Sequence, residues 1–207
     1  MGVATDERQA LCGLFEELGP DAPTLCEGWS TRDLAAHLVV REHRLDAAAG
    51  LLVPFLASHT ESVQRRYAAE PWEKLIGRVR SGPALLWPTR LPPLNELVNS
   101  AEFLVHHEDV RRGQEGWEPR PAEAARDAAA WRSVRAIAKL TMRNSPVGVL
   151  LRAPGHGEVT LKGPDPVTLT GGPLEILLFA FGRDAVRLDF DGELTAIAQL
   201  KSLSRGL

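Results

Sequence analysis

Cysteine is scarce. Cys12 and Cys26 are the only two in 207 residues, and they make no paired-cysteine spacing of the kind that builds a structural zinc site. So few thiols also argue against a disulfide-stapled secreted scaffold, and the expectation is a reduced chain in the cytoplasm. No apolar run approaches the ~20 residues that a membrane-spanning helix needs, and the stretch 174–181 stops well short of it. The start, Met1-Gly2-Val3-Ala4-Thr5-Asp6-Glu7-Arg8, is acidic and polar, unlike the basic opening and apolar core of a secretory signal. A basic excess is missing too. Lys and Arg total 24 against 27 Asp and Glu, a net charge of −3, which excludes the broad positive field that holds nucleic acid. There is no internal repeat and no low-complexity tract. With 44 % hydrophobic and 25 % charged residues, the chain reads as an ordinary globular protein of one large domain or two small ones. Neither membrane nor nucleic acid is an expected partner.

What is present is mostly helical periodicity. Leu11, Leu14, Phe15 and Leu18 recur on one face of a helix over 4–18, which Gly19-Pro20 stops. A turn-rich loop, 21–28, follows. Ser30 then caps a second helix, with Asp33 three residues on to complete a capping box. Its buried stripe is Leu34, Leu38, Leu45, Ala49 and Leu52, ending near Pro54; His37 falls at the margin of the stripe and Arg41 within it. Residues 57–70 are polar and read as loop or irregular helix. Pro71 opens a short helix whose Trp72, Leu75, Ile76 and Val79 face inward and which Ser81-Gly82-Pro83 ends. From Trp87-Pro88 to Pro92-Pro93 a rigid connector leads into a long helix over 92–112. Leu94, Leu97, Val98, Ala101, Leu104 and Val105 give that helix one apolar stripe.

The Gly, Pro and charged residues of 113–121 mark a boundary. The expected division is a helical domain over 1–115 and a second domain over 121–207. A fifth helix at 121–142 carries Ala129, Trp131, Val134, Ala138 and Leu140 as packing residues, and can lie on the first domain. After Ser145-Pro146, short apolar runs at 147–151, 158–161, 167–169 and 186–190 read as strands. An apolar helix at 174–181 interrupts them, and after the Asp191-Gly192 turn a helix over 193–203 ends the chain. The fold class is mainly α, with a small C-terminal α+β part.

The chemistry gathers on Glu102-Phe103-Leu104-Val105-His106. Glu102 and His106 are four residues apart, so their side chains stack on adjacent turns of one helix. They lie at the edge of the apolar stripe, in line with Asn95 and Asn99. Alone they make an ion pair or hydrogen bond; with a third donor they make a metal site. His37 is that donor, because in an up-and-down bundle the second and fourth helices can be neighbours. Two imidazoles and one carboxylate leave a coordination position open, which is the donor count of a catalytic zinc, and the set also suits other divalent ions. An open site of this kind can bind a thiol and favour its thiolate, the competent nucleophile. Arg41 is placed to hold a carboxylate of a bound cofactor or substrate, or else to pair with an acid. Asp109, in the run His107-Glu108-Asp109, is either an orienting partner for a ligand histidine or part of a solvated charge run. His43 and His107 fall on solvated faces, His59 and His156 in loops, and Cys12 and Cys26 read as inert thiols.

Gly28-Trp29-Ser30-Thr31-Arg32-Asp33-Leu34-Ala35-Ala36-His37-Leu38 resembles the second-helix motif of the mycothiol-dependent maleylpyruvate isomerase family, within the DinB-like metal-binding superfamily. Glu102-Phe103-Leu104-Val105-His106 resembles that family's second ligand motif. The resemblance implies a DinB-like four-helix bundle holding a divalent metal, usually zinc, through His37, Glu102 and His106. It also implies a C-terminal domain similar to sterol-carrier-like folds. Leu174-Glu175-Ile176-Leu177-Leu178-Phe179-Ala180-Phe181-Gly182-Arg183 looks like the apolar helix of that domain, ending in the Gly-Arg whose arginine is implicated in activity. Arg183 is therefore the catalytic residue that the resemblance carries over, and mycothiol the cosubstrate.

Three functions are consistent with this reading. The first is a metal-dependent thiol transferase or isomerase acting on a small thiol and an electrophilic substrate. The second is a non-catalytic module that binds a small apolar ligand, suggested by the helix at 174–181. The third is a metal-binding scaffold or sensor with a closed ligand shell. Monomer and dimer are both compatible with the sequence.

Overall fold

The structure is a computed structural model that describes residues 2–44, 57–83 and 91–205. It is mainly helical with a small four-stranded sheet, and it separates into two compact units, Met1–Glu118 and Pro119–Leu207. Among the described residues no helix is long and apolar enough to cross a membrane.

The first unit contains α1 (Val3–Leu18), α2 (Thr31–His43), α3 (Ala57–Ala68), α4 (Trp72–Ser81) and α5 (Pro92–Arg112). Helix α1 packs on α5 and α4, and α2 packs on α3 and α4. The core they share holds Leu11, Cys12 and Phe15 of α1, Leu34 and Leu38 of α2, Leu75, Ile76 and Val79 of α4, and Phe103 and Val110 of α5. Each such fully buried side chain contributes about 1.5–3 kcal/mol relative to exposure. The capping box forms: Ser30 N–H donates to Asp33 Oδ2 at 3.0 Å, and Asp33 N–H donates to Ser30 Oγ at 3.4 Å. That cap fixes where α2 starts, and so which turn carries His37.

Several expectations need correcting here. The polar stretch 57–70 contains a regular helix, α3, because tertiary packing outweighs its weak periodicity. Helix α5 does not present one stripe. Val98 is 46 % exposed, while every residue from Phe103 to Val110 is buried, including His107, Glu108 and Asp109. The reason is that these polar groups find partners inside the unit. His107 Nδ1 lies 2.7 Å from Glu7 Oε2 on α1, and Arg111 and Arg112 reach Glu108 at 2.9 and 2.6 Å. His43 is half-buried rather than solvated, since it lies beside the Arg78 and Gly82 backbone at the end of α4, and its Nε2 is buried with no hydrogen-bond partner among the described residues. The expected continuation of α2 through Leu45, Ala49 and Leu52 to Pro54, and the connector from Trp87-Pro88, lie outside the described residues. So do the side chains of Leu94 and Leu97 and those of Pro92-Pro93.

The second unit contains α6 (Ala124–Thr141), β1 (Val149–Ala153), β2 (Gly157–Leu161), β3 (Val167–Thr170), α7 (Pro173–Ala180), β4 (Asp189–Asp191) and α8 (Leu194–Lys201). The sheet order is β2-β1-β3-β4. Strand β1 is antiparallel to β2 and parallel to β3, and β3 is antiparallel to β4. All of α7 is buried, which its unbroken apolar sequence requires, and it packs on α6 and β1. Leu140 does not join that packing; it is 47 % exposed. The last strand lies at Asp189–Asp191 rather than 186–190, because Glu175 takes the Arg187 N–H at 2.7 Å before the ladder begins.

Candidate metal centre

Three donor atoms from two helices meet in the first unit. His37 Nε2, on α2, lies 3.4 Å from Glu102 Oε1, and His106 Nε2 lies 3.3 Å from the same oxygen, one turn along α5. All three atoms fall within 4.8 Å of one another, and the two imidazole centroids are 5.4 Å apart at 72°. Ligands at zinc-type distances on a tetrahedral ion stand about 3.3–3.6 Å apart. The His–Glu separations match those edges. The side chains are 11–19 % exposed, so the cluster is sheltered yet reachable.

The surroundings set the charges. Burial opposes charging the His37 ring and outweighs the Glu102 hydrogen bond, so its pKa is lowered and the ring is held neutral, the form that ligates metal. Its Nδ1 is buried with no hydrogen-bond partner among the described residues. An unsatisfied polar atom of that kind costs about 1–3 kcal/mol. For Glu102, burial alone would raise the pKa. Hydrogen bonds from His106 and His37, with the charges of His106 and Arg41, reverse this and hold it well below the usual carboxylate range. For His106, burial is likewise overcome, by hydrogen bonds to Asp109, Cys26 and Glu102, and the ring is held well above its ordinary value. His106 thus stands between two carboxylates, Glu102 at Nε2 and Asp109 at Nδ1.

The second of these contacts lies behind His106. Its Nδ1 lies 2.9 Å from Asp109 Oδ2, whose carboxylate is fully buried. This carboxylate–imidazole pair fixes which nitrogen faces Glu102, as it does behind metal-bound histidines. Of the two readings the run 107–109 left open, the buried orienting partner is what the geometry contains.

Arg41 stands in the same cluster. Its Nε is 3.2 Å from Glu102 Oε1, its Nη1 donates to Asn99 Oδ1 at 2.5 Å, and its Nη2 reaches the Val98 carbonyl at 3.5 Å. It is paired to the acid. Asn99 in turn donates to Glu42 Oε1 at 3.1 Å, and Glu42 is gripped by both terminal nitrogens of Arg8 at 2.5 Å. The polar line Arg8–Glu42–Asn99–Arg41–Glu102 therefore runs from the core to the donor cluster. Periodicity puts Asn99 in line with Glu102 and His106, but it could not reveal Arg8 or Glu42 as members, because their contacts lie between helices. Trp29 also went unassigned to the site; its ring packs 5.0 Å from the His37 ring and shields it.

Arg183 belongs to the second unit. It follows the C-terminal end of α7, where its Nη1 donates to the Phe181 carbonyl at 2.6 Å, a helix-capping bond. No protein-family model, curated protein or solved structure matches the chain.

Proposed function

We propose that the protein binds one divalent cation through His37, Glu102 and His106, with zinc the expected metal, and uses it in thiol-dependent transfer or isomerisation. The observation that supports this reading most is the convergence of two imidazole nitrogens and one carboxylate oxygen, at ion-like separations, from α2 and α5. The resemblance of the 28–38 and 102–106 motifs to the mycothiol-dependent maleylpyruvate isomerases, within a DinB-like four-helix bundle, supplies the reaction class and mycothiol as cosubstrate. A cation held there would supply Lewis acidity, favouring the thiolate of a bound thiol.

The chain's own residues divide the remaining work. His37 and His106 give neutral nitrogen donors and Glu102 one negative charge. Asp109 holds His106 in register through Nδ1. Arg41 steadies the Glu102 oxygen from the side, and Trp29 limits water on the His37 face. Arg183 is the residue that the resemblance offers for holding an acid group of thiol or substrate. The two free thiols fit a reducing compartment, the cytoplasm in this reading.

The test is metal analysis followed by turnover. The zinc-loaded chain should consume mycothiol with an electrophile from a maleylpyruvate-like panel, and His37→Ala should lose both metal and turnover. Metal retained with no thiol consumed would leave a metal-binding scaffold. No metal bound would remove the reading altogether.

A further inference from the structure

The rear edge of His106 faces a second set of donors, Cys26 and the Asp109 oxygen that orients its ring, neither of which is a ligand in the centre above. Cys26 Sγ lies 3.2 Å from Asp109 Oδ2 and 3.9 Å from His106 Nδ1, and Nδ1 and Oδ2 are 2.9 Å apart. These three atoms also fall within 4.8 Å of one another. We infer that Cys26, Asp109 and the Nδ1 edge of His106 form a distinct position for a thiophilic divalent cation such as Cd²⁺.

The backbone builds this position rather than leaving it to a mobile thiol. The loop 21–28 is stitched to the end of α5: Leu25 N–H donates to the Asp109 carbonyl at 3.0 Å, and Gln114 Nε2 donates to the Pro23 carbonyl at 2.9 Å. Cys26 N–H donates to Thr24 Oγ1 at 3.1 Å, and Gly28, at φ +74°, turns the chain away toward α2. The loop crosses α5 so closely that a Cβ on Gly113 would sit 2.5 Å from the Pro23 carbonyl oxygen. Sγ is therefore presented to Asp109 and His106 from a fixed frame. Cys26 is half-buried, so the triangle is approachable from its sulfur corner, whereas Asp109 is fully buried.

Chemistry separates the two positions. The His37 side offers nitrogen and oxygen only; the Cys26 side adds a thiolate, which favours soft ions. Binding there forms bonds to Sγ, Nδ1 and Oδ2 and releases the thiol and Nδ1 protons to solvent. His106 then keeps its proton on Nε2, facing Glu102. One ring does not serve both positions without losing both protons, so the two compete for His106. That competition rests on the centre proposed above; the Cys26 position itself does not.

The experiment titrates Cd²⁺ into the metal-free full chain under anaerobic conditions. It reads the thiolate-to-cadmium charge-transfer absorption and takes affinity from competition with a chromophoric chelator. The wild type should develop the band to one equivalent. Cys26→Ser should abolish it and weaken Cd²⁺ by about tenfold or more, with an unchanged circular dichroism spectrum. Cys12→Ser and His37→Ala should keep it, and Glu102→Gln serves if His37→Ala disturbs the fold. Zinc loaded beforehand should weaken Cd²⁺ in the wild type but not in His37→Ala. No band, a band surviving Cys26→Ser, or a band lost in both His37→Ala and a well-folded Glu102→Gln overturns the inference. A zinc affinity untouched by His37→Ala would instead fell the His37 centre and leave the Cys26 position standing.

Discussion

Replacing Glu42 by Gln leaves the Arg8 guanidinium inside the helical unit without its counter-charge. The two side chains are 2 % and 5 % exposed, and both guanidinium ends meet a carboxylate oxygen at 2.5 Å. Breaking a pair this deeply buried costs about 3–5 kcal/mol, most of it the penalty of the orphaned charge. Arg8 keeps two consolations, the Val79 carbonyl at 2.9 Å and the Phe103 ring face at 4.1 Å, so the lower end, about 3 kcal/mol, is expected. With a urea slope of about 2 kcal/mol per molar, the midpoint of the helical unit should fall by about 1.5 M. Urea unfolding of the full chain, followed by far-ultraviolet circular dichroism, measures it. A double variant, Arg8→Met with Glu42→Leu, removes both charges and should recover most of the loss. A single-variant cost under about 1 kcal/mol, or a double variant no better than the single, would refute the claim that this pair is desolvated.

Other outcomes follow from the same geometry. Gly113→Ala should cost about 1–3 kcal/mol by forcing its methyl against the Pro23 carbonyl and Thr24 Cα, seen as a lowered Tm; an unchanged Tm would mean the loop 21–28 is not held there. Cys12 is fully buried, and burial above all pushes its thiol up to about 11. Iodoacetamide at neutral pH should therefore leave it unlabelled in the native protein, and peptide mass spectrometry showing modified Cys12 without unfolding would contradict that. The hydrogen bond from Arg78, followed by the Arg78 and Lys74 charges, outweighs burial and holds the Glu70 carboxyl below its usual value. A depressed folded pKa gives stability that is present above the unfolded value of about 4.3 and is lost as pH falls through the folded one. Glu70→Gln should then lower stability at pH 7 by about 0.5 kcal/mol, with the difference fading in acid; a gap that widens on acidification would reverse the sign.

The helices and the chemistry they carry were legible to different degrees. The capping box at Ser30 and Asp33, the inward faces of α1 and α4, and the Glu102–His106 pair could all be read from spacing, because each follows from the geometry of one element. Glu102 and His106 were tied by helix geometry alone. His37 needed the fold to bring a second helix to them. What stayed hidden depends on partners far along the chain. His107 reads as suited to solvent, since nothing local says that Glu7 of α1 will be buried beside it; the Glu108–Arg112 pair is local, four residues apart, but such a pair is equally at home on a solvated helix face. Cys26 looked inert for the same reason: its proximity to His106 is made by a loop crossing the end of α5. The stretch 57–70 reads as loop or irregular helix because its polar sequence hides the anchored face of α3, on which Thr60 and Val63 are buried.

The claim on which the rest depends is that His37, Glu102 and His106 converge on one cation. A crystal of the full chain grown with zinc, measured with anomalous differences at the zinc edge, addresses it most directly. One strong peak is expected, about 2.0–2.2 Å from His37 Nε2, Glu102 Oε1 and His106 Nε2, with Asp109 still bonded to His106 Nδ1. A peak elsewhere, or zinc held without His37, would contradict it.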